Sequence, residues 1–103
     1  MSEKKTVTVT FEGEIPEHEG KKYPSVTLRK MKAKDLVAAD LVGGEIRKAF
    51  AIFGSMAGVP IQVIEDLDMD DFEKLSEEGA PLMGKSAVKA LAKLELENNP
   101  VLQ

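Results

Sequence analysis

The sequence contains no cysteine and no tryptophan, and it has a single histidine among its 103 residues. The absence of cysteine excludes disulfide bonds and thiolate chemistry, and it gives no sign of an oxidising compartment. Aromatic residues make up 5% of the chain, so we expect a mostly aliphatic core in which methionine fills gaps. Apolar runs stay well short of the roughly 20 residues that span a bilayer. We therefore expect an intracellular, soluble protein with no membrane contact.

Side chains that perform catalysis or bind metals are scarce and isolated. His18 stands between two glutamates in a polar segment, and no cysteine or second histidine lies nearby to complete a zinc site. The serines lack a Gly-x-Ser-x-Gly context, and no glycine-rich segment leads into Gly-Lys-Ser/Thr. We predict a protein that is not an enzyme and that uses no cofactor or metal.

One acidic run has the spacing of a calcium-binding loop. Acidic residues occupy the first, third, fifth and twelfth positions of that loop: Asp66, Asp68, Asp70 and Glu77. However, the sixth position, which needs glycine, is Asp71, and the usually apolar eighth position is Glu73. A helix that begins at Asp68 explains the same residues without a metal. Asp71 then completes a capping-box variant, and Leu67 and Phe72 form a hydrophobic staple. We predict the capped helix.

Charge is unevenly distributed along the chain. The formal net charge of −4 argues against general nucleic-acid binding, which depends on clustered lysine and arginine. Residues 21–34 nevertheless hold six basic side chains and no acidic one, whereas residues 65–78 hold eight acidic side chains and one lysine. Two solvated faces explain this most simply. The alternative is a pair of complementary patches between neighbouring subunits, which salt would weaken.

Two segments alternate as half-buried strands do. Residues 6–11 read Thr-Val-Thr-Val-Thr-Phe, and residues 25–29 read Ser-Val-Thr-Leu-Arg. The polar residues 12–24 between them carry two glycines and two prolines, which indicates a loop. Antiparallel pairing of the two strands is the simplest arrangement.

The remaining sequence has helical periodicity. Helices are predicted over about residues 31–42, 45–57, 60–67, 68–78 and 86–98, with a corner at Gly58–Pro60. The predicted fold is therefore α+β, an N-terminal two-stranded antiparallel β-hairpin followed by a small bundle of four to five short helices. Residues 1–78 form the hairpin and helical core in this interpretation, and residues 79–103 form a C-terminal tail helix in the same domain.

The helix at residues 45–57 carries the most continuous apolar stripe. Its members recur at three- and four-residue spacing and must be buried against something: Ile46, Ala49, Phe50, Phe53, Met56 and Ala57. As core residues they need no further explanation. As a partly exposed groove they would receive an amphipathic helix from a partner, and four of them are then the candidate partner-binding residues: Ile46, Phe50, Phe53 and Met56.

The order and spacing of these features resemble the tail assembly chaperone family of contractile-tailed bacteriophages and Mu-like prophages. The resemblance covers about residues 6–75. After the first strand and the polar loop, it is carried by Val26-Thr27-Leu28-Arg29, Lys34-Asp35-Leu36, Ala57-Gly58-Val59-Pro60 and Leu67-Asp68-Met69-Asp70-Asp71-Phe72.

The resemblance implies a non-enzymatic protein of the bacterial host cytoplasm that binds the tape measure protein, keeps it soluble and aids assembly of the tail tube around it. The tail tube protein and a longer frameshifted form of the protein itself are further implied partners, and a homo-oligomer is expected separately, from the charged segments and the hairpin edge. The main alternative is a self-assembling structural or regulatory module that pairs through its hairpin edge and has no chaperone role. A calcium-responsive binding domain is a third alternative.

Overall fold

An α+β arrangement is found in residues 6–84, the part of the chain that our computed structural model describes. The predicted helix at residues 86–98 lies outside the described residues. No helix between residues 6 and 84 is long and apolar enough to cross a membrane. The elements are β1 (Thr6–Thr10), β2 (Glu17–His18), β3 (Lys21–Lys22), β4 (Ser25–Arg29), α1 (Lys34–Asp40), α2 (Glu45–Ala57), α3 (Ile61–Glu65), α4 (Met69–Gly79) and a 3-10 turn (Ala80–Leu82).

The long strands β1 and β4 form a two-stranded antiparallel sheet in which Val7 lies opposite Leu28 and Val9 lies opposite Val26. The antiparallel pairing predicted from their alternation is confirmed. The apolar face turns inward, and Val9 and Leu28 are fully buried there. Threonines occupy the exposed face, where the hydroxyl oxygens of Thr8 and Thr27 lie 2.9 Å apart. Burial of one face therefore sets the register of the sheet.

The connection between β1 and β4 differs from the prediction of a plain hairpin loop. It contains a second antiparallel pair, β2 with β3, so the two long strands are not consecutive. Glu19 and Gly20 turn the chain with φ angles of 53° and 81°, and the Tyr23 N–H donates to the Pro16 carbonyl at 2.9 Å. Each of these strands has two residues and faces solvent, so hydrophobic alternation could not reveal them.

Helix α2 begins and ends where its apolar periodicity predicts. Gly58 ends it in the left-handed conformation, with φ 71° and ψ 32°. The Gly58 N–H donates to the Ser55 carbonyl at 3.2 Å and the Val59 N–H to the Gly54 carbonyl at 2.9 Å, which satisfies two carbonyls of the last turn. Pro60 follows in an extended conformation and α3 begins one residue later. The predicted corner is therefore present.

The predicted capping box at the start of α4 is wrong, although Asp68 is the residue that precedes the helix. Neither carboxylate bonds to the N–H groups of its own helix. Asp68 accepts from the backbone N–H of Glu14 at 3.2 Å. Asp71 accepts from the N–H groups of Glu12 and Gly13 at 3.0 and 2.9 Å. These backbone N–H groups of the loop after β1 have no backbone partner and face α4. The two carboxylates accept from these groups instead of capping their own helix.

The core lies between the inner face of the sheet and the helices, with Phe53 and Leu75 fully buried at its centre. Gly79 is packed so tightly that a Cβ there would lie 2.8 Å from Cδ1 of Leu28. Leu82 is also buried, and its carbonyl accepts from the Met31 N–H at 2.9 Å. The chain after α4 thus returns to the segment that precedes α1. The division between a core at residues 1–78 and a tail at 79–103 stays a prediction.

Candidate functional site

Four large apolar side chains are exposed on α1, just after it and at the start of α2. The exposed fractions are 55% for Leu36, 60% for Val37, 80% for Leu41 and 44% for Ile46. Isolated apolar side chains on a surface need no explanation, but these four lie within eleven consecutive residues of a small protein. We call Leu36, Val37, Leu41 and Ile46 the corner patch.

The corner patch is exposed because α1 is anchored to the fold by small and charged side chains. Asp35 and Ala39, four residues apart on one face of the helix, are the buried residues of α1. Val37 and Leu41 share the opposite side, with Lys34 one turn before them. The apolar side chains of α1 therefore point away from the core that α2 completes.

A hydrogen-bonded carboxylate fixes the position of α1. Asp35 is fully buried and accepts two hydrogen bonds from the Arg29 guanidinium, at 2.8 and 3.0 Å. It also accepts from the Lys32 N–H at 2.8 Å and from the Ser55 hydroxyl. The same guanidinium donates to the Ser55 carbonyl at 3.1 Å. One carboxylate thus ties β4, α1 and α2 together beneath the patch.

Electrostatics keep this carboxylate ionised. Burial raises the pKa of Asp35, but the hydrogen bonds from Arg29, Lys32 and Ser55 and the positive charge of Arg29 outweigh burial and bring the pKa to about 2. The hydrogen bond to Asp35 in turn raises the pKa of Arg29. Because every partner of Asp35 is part of the protein, the group is structural and supports the patch.

The four predicted partner-binding residues lie at different depths along one stripe of α2. Phe53 is 0% exposed and Met56 2%, and both belong to the core. Phe50 is half-buried, with its ring edge-on to Phe72 at a centroid distance of 5.1 Å. Ile46, at the start of the helix, is the one that shares the corner patch. The stripe therefore runs from the core at Met56 to the surface at Ile46, towards the N-terminus of α2.

Sequence reasoning missed the other three members of the patch. Leu36, Val37 and Leu41 lie in the helix predicted over about residues 31–42 and are not among the four candidate partner-binding residues. No signal within the helix could have found them, because aspartate is rarely buried without a partner and Asp35 would predict that its own side of α1 faces solvent. The pairing of Asp35 with Arg29 reverses that expectation.

Two charged surfaces accompany the patch. Lys30, Lys32 and Lys34 are exposed along the entry to α1, and we call them the basic rim. On α4 the exposed side holds four acidic residues and Met69, which is 66% exposed. We call this second surface the acidic face, and its members are Met69, Asp70, Glu73, Glu77 and Glu78.

An exposed apolar corner on a small rigid fold is typical of a protein-binding module. The family model described as phage tail assembly chaperone proteins, E, or 41 or 14, matches residues 8–84, which is more than half of the chain. The chain belongs to this family, as its resemblance indicated. No curated protein and no solved structure matches the chain significantly.

Proposed function

We propose that this tail assembly chaperone binds the tape measure protein and holds it soluble while the tail tube assembles. The observation that supports this function is the corner patch, because exposed apolar surface is what a chaperone offers to an apolar client. The client segment that fits is an amphipathic helix, whose apolar stripe lies against Leu36, Val37, Leu41 and Ile46. The activity is binding alone, without catalysis.

The predicted residues of α2 have graded roles in this proposal. Ile46 contacts the client directly, since 44% of it is exposed. Phe50 lies behind it, half-buried, and is reached when a client side chain inserts beside Ile46. Phe53 and Met56 hold this surface in place from within the core. The longer frameshifted form and the tail tube protein are the further partners we propose, in the cytoplasm of the bacterial host.

A single patch gives weak binding. Fully burying a Val, Leu or Ile side chain contributes roughly 1.5–3 kcal/mol, and the patch residues are already about half covered. Completing their burial contributes about 1 kcal/mol each by that measure. The total of about 4 kcal/mol is similar to the entropic cost of association. Stable binding therefore requires several chaperone copies along a long client, or additional contacts.

Co-expression with the tape measure protein of the same genome tests the function. We expect the wild-type chain to keep the tape measure soluble and to co-elute with it. Val37→Asp and Leu41→Asp place a charge on an exposed helix face, so both variants should fold, and both should lose co-elution. Met69→Asp is the matched control, because Met69 is equally exposed but lies outside the patch.

Two results would contradict the proposal in different ways. If the tape measure stays insoluble and the wild-type chain elutes alone as a defined oligomer, the chaperone function is wrong and the self-assembling module replaces it. If the aspartate variants co-elute as the wild type does, the function stands but the corner patch is not its site. Circular dichroism of each variant establishes that the fold is intact.

A further inference from the structure

We propose that, when no client is bound, the corner patch of one copy is covered by the acidic face of α4 of a second copy. The client then competes with a neighbouring chaperone for the same residues, and this competition rests on the proposed function. The self-association does not depend on that function, and it can be measured on the chaperone alone. The proposal thus adds regulation to the site.

Complementarity within one chain favours a second copy as the occupant. The patch combines apolar side chains with the positive basic rim, while the acidic face combines an exposed methionine with four carboxylates. The basic rim and the four carboxylates have opposite charge, although Asp40 and Glu45 adjoin patch residues in the chain and Lys74 lies among the acids of α4, and both surfaces offer apolar side chains for contact. Methionine also adapts its shape to an irregular apolar surface. Within one copy, α1 packs against α2, and α4 packs against β1 and, through Phe72, against α2, with no extensive contact between α1 and α4.

The spacing of the side chains predicts an antiparallel crossing of the two helices. On α4, Glu77 lies eight residues after Met69, about 12 Å along the helix axis. Lys34 begins α1 and lies seven residues before Leu41, which follows the helix in a helical conformation about 10.5 Å further along the axis. When Met69 contacts Leu41, an antiparallel α4 therefore brings Glu77 to Lys34. A parallel crossing would carry Glu77 away from the basic rim.

This contact joins two different surfaces, so it is heterologous. A copy whose patch is covered still presents its own acidic face, and a copy at the other end still presents its own patch. Repetition of the contact gives a chain or a ring of copies. A client helix that takes a patch releases one neighbour at a time, so each patch within the chain passes from one cover to another, and only a closed ring covers every patch.

Sedimentation of the full chain at increasing concentration tests the interface. We expect the average mass of the wild-type protein to rise at low salt and to fall in about 1 M salt, where the Debye length is about 3 Å. Lys34→Glu and Glu77→Lys should each raise the dissociation constant about tenfold or more, because each places like charges together. Lys22→Glu and Glu14→Lys make the same charge changes on exposed residues elsewhere and should behave as the wild type.

Mixing the two charge variants identifies the interface as heterologous. The Lys34→Glu variant keeps an intact acidic face, and the Glu77→Lys variant keeps an intact basic rim. Each alone should be monomeric, while an equimolar mixture should grow beyond a dimer as alternating copies, because the unaltered Lys34 of one variant meets the unaltered Glu77 of the other and the two substituted positions also carry opposite charges. A mixture that stops at a 1:1 dimer would mean that the contact is isologous, and it would overturn the proposed arrangement. The double variant restores opposite charges and should associate again. A mixture that stays monomeric, or control variants that dissociate equally, would overturn the proposed contact.

Failure of this inference is distinguishable from failure of the proposed function. Met69→Asp should abolish self-association but leave tape measure binding intact, whereas Val37→Asp should abolish both. A wild-type chain that is monomeric at every concentration but binds the tape measure refutes the self-covering contact alone. If the chain self-associates, and the double charge variant associates again, but the chain binds no tape measure, the proposed function alone is refuted.

Discussion

Replacing Asp35 removes the carboxylate that joins β4, α1 and α2, and the contacts of this carboxylate determine how much stability is lost. In Asp35→Ala, the Arg29 guanidinium, the Ser55 hydroxyl and the Lys32 N–H all lose their acceptor. Breaking a buried ion pair costs about 3–5 kcal/mol. The Arg29 side chain is 31% exposed and can recruit water, so we expect the lower end, about 3 kcal/mol.

The charge of Asp35 adds a pH dependence with a definite sign. Its pKa is about 2 in the folded protein against an ordinary value of 3.8. Because the folded state lowers the pKa, the stabilisation is fully present above about pH 5 and is lost as pH falls from there through 2. At about 1.4 kcal/mol for each unit of pKa, the lowered pKa of Asp35 contributes about 2 kcal/mol to the free energy of unfolding. Asp35→Asn preserves the shape of the side chain and removes this charge.

Urea unfolding of the wild type and the asparagine variant, measured between pH 7 and pH 2, tests both points. The difference in the free energy of unfolding should be constant from pH 7 to about pH 5 and should shrink steadily below that. Ser55→Ala, which removes one donor and keeps the carboxylate, should cost about 1 kcal/mol. An equal difference at pH 7 and pH 2 would falsify the idea that Asp35 is held as an ionised partner of Arg29.

Two further substitutions test the packing around α4. Gly79→Ala should destabilise the protein by about 1–3 kcal/mol in urea unfolding, because the new methyl group meets Leu28 at 2.8 Å and Phe53 at 3.2 Å. Gly43→Ala, which meets open space, is its control, and a stabilised Gly79 variant would show that this contact relaxes freely. Asp71→Asn should cost about 1–2 kcal/mol and raise hydrogen exchange in the loop after β1, whose N–H groups lose a charged acceptor. Unchanged exchange there would mean that the loop is held by other contacts.

The elements that periodicity defines were predictable. The alternation of β1 and β4, and the apolar stripe of α2 with Gly58 at its end, specify their structure locally, and each lies where the sequence places it. Local signals agree there because burial of one face and the conformational freedom of glycine act within a few residues.

What the sequence could not provide depends on partners distant along the chain. Asp68 and Asp71 have ideal capping positions, yet their carboxylates bond to a loop more than fifty residues away. Asp35 pairs with Arg29 and so turns the apolar side of α1 outward, which no helical period reveals. The corner patch exists because α1 is held against the fold by a polar tertiary contact and not by its large apolar side chains. The partners in that contact meet only in the folded chain.

The bond from Asp71 to the loop after β1 joins two parts of the chain that are synthesised at different times. Its two partners are separated by 58 and 59 positions, and Lys74 of the same helix reaches the Thr10 carbonyl at 3.0 Å. Contacts of such long sequence separation form late, because the intervening chain must first be enclosed. During synthesis β1 precedes α4, so the loop that follows the first strand waits longest for its partners. A nascent chain that halts before α4 lacks both the carboxylate that holds this loop and the lysine that reaches the end of β1.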